Sequence, residues 1–169
     1  MTVNTSDRTT ATPSEHPAAL APRFRLDPAL SREGVLDGAW WPRSRDPDVE
    51  LSVLIAALDS RLGRVSRVAL NMTSWDSAPR RLTRSDRGYP VGWFRTMDAD
   101  MITVTTAEQR RFALLVIPPQ APAAAAAIAM AMAVIGKLSL RPAKILMASG
   151  LPAAGDTTRL PLQLPSAPA

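Results

Sequence analysis

Between Asp46 and Gly63 the sequence spells out one helix with both ends marked. Asp46 offers a side-chain acceptor to the free amides of a first turn, and Pro47 fits the first helical position because it has no N–H to leave unpaired. Asp48 favours the positive end of the helix dipole. Leu51, Leu54, Ile55, Leu58 and Leu62 then recur at helical spacing, which puts them on one stripe, and Gly63 supplies the left-handed stop. Such a stripe needs a partner surface, and the flanking sequence offers strands to provide it.

Arg23-Phe24-Arg25-Leu26-Asp27 alternates and then meets Pro28, as a short edge strand would. Val35 to Trp41 reads as a second strand, closed by Pro42. After the helix, Val65 to Met72 resumes period two, with Val68, Leu70 and Met72 on one face. The polar, arginine-rich stretch from Thr73 to Gly88 is too irregular to assign. Val91 to Thr96 and Met101 to Thr105 read as strands, the second entered through an Asp98-Ala99-Asp100 turn. Arg111 to Ile117 is apolar on both faces, the mark of a central strand covered on each side. Pro122 opens an Ala/Met helix to about Val134, and Ser139 can cap a last helix over Leu140 to Ala148. The expected order is ββα-ββββ-αα. Short links between the strands favour an α+β domain with a mainly antiparallel sheet of five to six strands and helices packed on one face.

The 169 residues fit one domain, with 46% hydrophobic residues to build its core. Proline, alanine, serine and threonine crowd both ends, which cannot bury enough apolar surface to offset their ordering entropy. We therefore expect tails over residues 1–21 and 150–169 around a single domain over 22–149. Phe112 to Gly136 carries no charge, yet Pro118, Pro119 and Pro122 interrupt it. What remains falls short of the roughly 20 residues a membrane span needs, so no membrane contact is expected.

There is no cysteine, and the one histidine, His16, falls in the expected N-terminal tail. Thiolate metal sites, cysteine nucleophiles, Ser-His-Asp triads and histidine general bases are thus unavailable to the folded part. No metal and no cofactor is expected. No Gly-rich phosphate loop or nucleophile elbow is present either. An enzyme would have to work with Asp, Glu, Ser, Tyr89 or Lys alone, so the chemistry leans towards binding. The lack of cysteine suits a reducing compartment, and the N-terminus lacks the pattern of a secretory signal, which together place the expected protein in the cytoplasm.

The densest constellation is Asp37-Gly38-Ala39-Trp40-Trp41-Pro42-Arg43-Ser44-Arg45-Asp46. Adjacent tryptophans on a strand point to opposite faces, so one packs inward and the other needs a second reason. Arg43 and Arg45 follow at a strand-to-helix junction, where guanidinium forks and helix amides suit an anion. Asp46 and Asp48 oppose that reading, and the arginines could equally be paired or solvated. Gly92-Trp93-Phe94-Arg95 repeats the arrangement. If the two strands are neighbours, Trp40 or Trp41 meets Trp93 across the sheet with Arg43 and Arg95 at one rim. That would make either a plate for a planar anion or plain cross-strand packing.

The net charge is +5, and the basic character is local: eight arginines and two acids lie between Arg61 and Arg95. Arg80, Arg81, Arg84 and Arg87 could track a phosphate backbone or form a solvated loop, and no nucleic-acid-binding motif accompanies them. The carboxylate pairs Asp46/Asp48 and Asp98/Asp100 are explained by capping and by turn chemistry, respectively. The uncharged 123–135 helix wants cover all round, either from its own domain or from a second copy.

From Arg23 to Ala148 the chain resembles an uncharacterised family of small actinomycete-type bacterial proteins. The resemblance rests on Leu26-Asp27-Pro28, Asp37-Gly38-Ala39-Trp40-Trp41-Pro42-Arg43-Ser44, Val68-Ala69-Leu70-Asn71, Gly92-Trp93-Phe94-Arg95 and Leu114-Leu115-Val116-Ile117-Pro118-Pro119. It implies no activity. Three expectations follow from the residues themselves. The first is a non-catalytic binding or regulatory module that holds an anionic small molecule or an acidic protein at Trp40, Trp41, Arg43, Arg45, Trp93 and Arg95. The second is weak nucleic-acid association, on ribosome or polymerase, through Arg80, Arg81, Arg84 and Arg87. The third is a homo-oligomeric structural protein, dimerising through the 123–135 helix.

Overall fold

A computed structural model describes residues 21–30, 34–84, 87–135 and 139–154. The chain runs β1 (Arg23–Leu26), β2 (Gly38–Trp41), α1 (Pro47–Leu62), β3 (Val65–Asn71), β4 (Arg81–Arg84), β5 (Arg87–Phe94), β6 (Met101–Thr106), β7 (Arg111–Val116), α2 (Ala123–Ala133) and α3 (Pro142–Ala148). The strands form one seven-stranded sheet in the order β1-β2-β7-β6-β3-β5-β4.

The α+β class stands, but the sheet is mixed. β2 pairs with β7 and β3 pairs with β5 in parallel, while the other neighbours are antiparallel. Both exceptions have a cause in the connections. The 16-residue helix α1 is long enough to carry the chain from β2 back to β3 in the same direction. Between β3 and β5, the supposedly irregular stretch contains β4, whose hairpin with β5 reverses the chain once more.

α1 forms as its sequence dictates. Asp46 accepts from the Asp48 amide at 3.0 Å, and Gly63 ends the helix at φ +87°. Leu51, Leu54, Ile55 and Leu58 are fully buried, each contributing roughly 1.5–3 kcal/mol by leaving water. They pack on one face of the sheet against Val68, Leu70, Ile102, Val104, Phe112 and Leu114. α2 and α3 do not join them. Ala126, Ala129, Ile145 and Leu146 pack with Ala39, Leu115 and Ile117 on the opposite face. The expectation of helices on one face fails because β7 is apolar on both sides and needs cover on each.

α2 approaches the sheet through a stripe of small residues, Ala126, Ala129 and Ala133, which leaves Ile128 and Ile135 about half exposed, at 51% and 53%. Among the described residues, no helix is long and apolar enough to cross a membrane. Residues 1–20 and 155–169 of the two expected tails lie outside the described residues. Gly150 to Ala154, expected as the start of a tail, instead packs. Gly150 turns the chain at φ +77°, the Leu151 amide donates to the Leu146 carbonyl at 2.8 Å, and Leu151 and Ala153 join the second core.

At Gly38 the edge strand β1 comes so close that a Cβ would meet the backbone carbonyl of Arg25. Backbone cannot swing aside as a side chain can. Gly38→Ala is therefore expected to cost about 1–3 kcal/mol, read as a lower denaturant midpoint with an unchanged slope.

Candidate functional site

The six Trp/Arg residues do not converge. β2 and β5 are separated by β7, β6 and β3, about 19 Å at the usual strand spacing, so neither Trp40 nor Trp41 can meet Trp93. Trp40 points into the first core and stacks on Trp75, with ring centroids 5.4 Å apart and planes 17° apart. Trp41 points to the other face, where its Nε1 donates to the Pro118 carbonyl at 3.1 Å. The Arg23 guanidinium sits 3.4 Å from the centre of the Trp41 ring and donates to the Trp41 and Pro42 carbonyls. That plate is already covered by a cation. Trp93 is half-buried, with its Nε1 donating to the Pro79 carbonyl at 2.7 Å.

Arg43 and Arg95 are exposed beyond the ends of β2 and β5, two strands far apart in the sheet; Arg43 donates to the Ala21 carbonyl at 3.3 Å. Arg80 precedes β4 and Arg81 opens it, both exposed, and Arg81, Arg84 and Arg87 lie on paired strands and not in an irregular stretch. The side chains of Arg84 and Arg87, like Ser85 and Asp86, lie outside the described residues.

Of the six, Trp41 and Arg43 line a hollow with Arg23, Val49 and Glu50, while Arg45 enters a separate cleft that the topology creates. β2, β7 and β3 run in the same direction and end at one edge of the sheet, where their loops part. Pro42, Ser44 and Arg45 enter the cleft after β2, Ser74 and Trp75 after β3, and Val116, Pro118 and Pro119 from β7 and its exit. Ala99 and Asp100 line it from the turn before β6, and Ala154 closes it; counted out to the mouth, the empty space is about 380 Å³. The Asp76 amide donates to the Arg45 carbonyl at 3.1 Å, tying the loop after β3 to the entrance of α1.

Asp100 is the unusual group there. Asp98 behaves as turn chemistry requires, its Oδ1 accepting from the Asp100 amide at 3.0 Å. The Asp100 carboxyl goes elsewhere, inward. It is 5% exposed, and both of its oxygens accept from the Ala154 amide, at 3.1 and 3.0 Å. Burial raises its pKa to about 6; the Ala154 amide pulls the other way, and the neighbouring Asp98 carboxylate adds to the rise. Turn chemistry alone therefore does not account for Asp100. Its burial depends on Ala154, more than fifty residues away, so no local signal could have marked it. Trp75 was equally hidden, inside the stretch without periodicity. Among the described residues, no cluster of acidic or histidine side chains could hold a metal ion.

A model of a family of unknown function (DUF5994) matches residues 23–133, which include all seven strands, α1 and α2. No curated protein and no solved structure matches the chain.

The raised Asp100 pKa has a pH consequence. The folded chain holds this proton more tightly than the unfolded chain, whose pKa is the ordinary 3.8. Its contribution to stability is therefore greatest below about pH 4 and is lost as the pH rises through about 6. Asp100→Asn keeps an acceptor for the Ala154 amide and removes the charge. Allowing for partial solvation of the carboxylate, we expect the variant to melt about 2–4 °C higher than wild type at pH 8. At pH 4 the two should coincide, as read by thermal unfolding across pH.

Proposed function

This chain belongs to DUF5994, a family that brings no activity with it, and from its own geometry we propose that it is a small-ligand binding module acting through the cleft at the carboxyl edge of the sheet. The observation that carries the reading is the meeting of an indole, a guanidinium and a buried carboxyl in one concave site: Trp75, Arg45 and Asp100. Pockets with mostly apolar walls and a few convergent polar groups, one of them with a perturbed pKa, are where proteins commonly hold small molecules.

The walls define the ligand's chemistry. Pro42, Val116, Pro118, Pro119 and Trp75 give an apolar slot. The indole is fixed from behind by its stack on Trp40 and so offers a plate that loses little entropy on binding. Arg45 at the mouth suits a carboxylate or phosphate, and Ser44 and Ser74 add hydroxyls. Asp100, with a pKa close to physiological pH, can accept from a ligand N–H or donate to a ligand oxygen. The room within the walls is about 50 Å³, well below a pocket for a drug-sized ligand, so the cleft takes one ring or one polar group and leaves the rest of the ligand at the mouth. The fitting ligand is a small planar molecule with one anionic group, held at Arg45 and Trp75.

The test is a titration with a panel of planar anions, from aromatic carboxylates to mononucleotides, followed by amide NMR shifts and tryptophan fluorescence. A fitting ligand should move the amides of residues 43–45, 74–76 and 98–100 in a saturable way. Arg45→Ala should weaken it by about tenfold, the scale of one lost charge-assisted contact. A panel that leaves those amides still, or that binds Arg45→Ala and Trp75→Ala as tightly as wild type, would overturn the reading.

A further inference from the structure

The second face of the sheet is only half used. α2 sits over β2 and β7. Among the described residues, the same face continues uncovered across β6, β3 and β5, where Ser66, Arg67, Ala69, Pro90, Phe94, Thr103, Thr105 and Arg111 line a broad hollow. An open sheet face is ordinarily expected to carry scattered polar side chains of both signs. This one is ordered by register.

Thr105 of β6 pairs with Arg67 of β3 on one side and with Arg111 of β7 on the other. One step along from the Val68–Val91 pair, Arg67 lies beside Pro90 of β5, and Pro90 pairs with Arg81 of β4. Directly paired residues share a face, so a single cross-strand row runs Arg81, Pro90, Arg67, Thr105, Arg111 over five adjacent strands. All three guanidinium side chains are exposed. At the usual strand spacing, successive arginines stand about 10 Å apart and the row spans about 19 Å. No carboxylate is among the residues lining the hollow.

The next row is built from small residues, with Gly92 beside Ala69 and Ala69 beside Thr103. Phe94 uses that space. Its ring lies over Gly92, where a Cβ would come within 2.8 Å of ring atom Cε2, and the side chain is still 50% exposed. The aromatic ring is thus laid along the sheet and not stood up from it. A flat, solvent-facing plate beside a line of cations joins the two elements that hold a single-stranded nucleic acid: stacking for an unpaired base and positive charge for the phosphates.

We propose that this open half-sheet binds single-stranded nucleic acid, with phosphates along Arg81, Arg67 and Arg111 and a base on Phe94. The surface differs from the cleft in both position and chemistry, and the proposal does not depend on the cleft reading. A duplex fits poorly, because its bases are already stacked and a flat sheet offers no helix or ribbon to a groove. A second copy docked symmetrically through this face would set the arginine row against its own image, a like-charge contact.

The experiment is fluorescence anisotropy of the full chain with a labelled 15-nucleotide thymidine single strand, the matching RNA and a duplex of equal length, at several salt concentrations. Single strands should bind more tightly than the duplex, with a logarithmic salt slope near −2, as about three phosphate contacts would give. Arg67→Ala should weaken binding by about three- to tenfold and flatten the slope by about 0.7, whereas Arg67→Lys retains the slope. Phe94→Ala should weaken single-strand binding by about fivefold or more without changing the salt slope, and Phe94→Tyr should restore it. Because Arg67 and Phe94 are exposed, the variants should fold, and unchanged melting curves will verify this. No binding at low salt, equal affinity for duplex and single strand, or indifference to Arg67→Ala and Phe94→Ala would overturn the proposal. So would a concentration-dependent dimer that Arg67→Ala dissolves, since that would give the face to a second copy.

Discussion

Everything in this fold turns on β7. Phe112, Leu114 and Val116 point to one side of that strand, and Leu115 and Ile117 to the other. A strand so apolar cannot lie at an edge or leave one face in water, so the chain must bring a layer to each side. α1 answers for the first face and α2 with α3 for the second. The anchoring is covalently distant and specific: the Asp37 carboxylate accepts the Ala113 amide at 2.8 Å, just where β2 comes alongside β7. The remaining strands then spread outward, and cover thins with distance from β7.

That thinning explains where chemistry is left over. Over the middle of β7 both faces are covered, and the cleft opens beyond the strand ends, where the loops after β2, β3 and β7 diverge around Trp75 and Asp100. Farther out, over β6, β3 and β5, the second face loses its helices and shows Arg67, Thr105 and Phe94. Two surfaces of different character therefore follow from one architectural fact. The first is a narrow recess framed by backbone turns, the second a broad plain ruled by strand register.

Much of the skeleton was legible in the sequence, for local reasons. α1 could be bounded from Asp46 and Gly63 because capping and left-handed termination are written in neighbouring residues. The two-sided pattern of β7 and the brief edge strand β1 were legible on the same grounds. β4 was not, since Arg81-Leu82-Thr83-Arg84 has a single buried apolar residue, Leu82, and its partner Tyr89 lies across a hairpin. The order of strands escaped as well, because pairing between residues far apart leaves no local trace. The grouping of Trp40 and Trp41 with Trp93 assumed that β2 and β5 were neighbours. The puzzle of adjacent aromatics has a simpler answer in each case: one ring enters the core while the other finds a carbonyl, a cation or a glycine to lie against.

The pairing of β2 with β7 also has a bearing on how the chain reaches this state. Gly38 waits for Leu114, and Trp40 for Val116, so β1 and β2 emerge during synthesis long before the strand that will hold them to the rest. Until then β3 to β6 can pair among themselves, but the two sets of strands have nothing to join them. Contacts of such long sequence separation slow the search for the native arrangement, since the loop must close before any packing rewards it. Assembly is therefore gated late, by the six residues of the last strand that the chain supplies to its sheet.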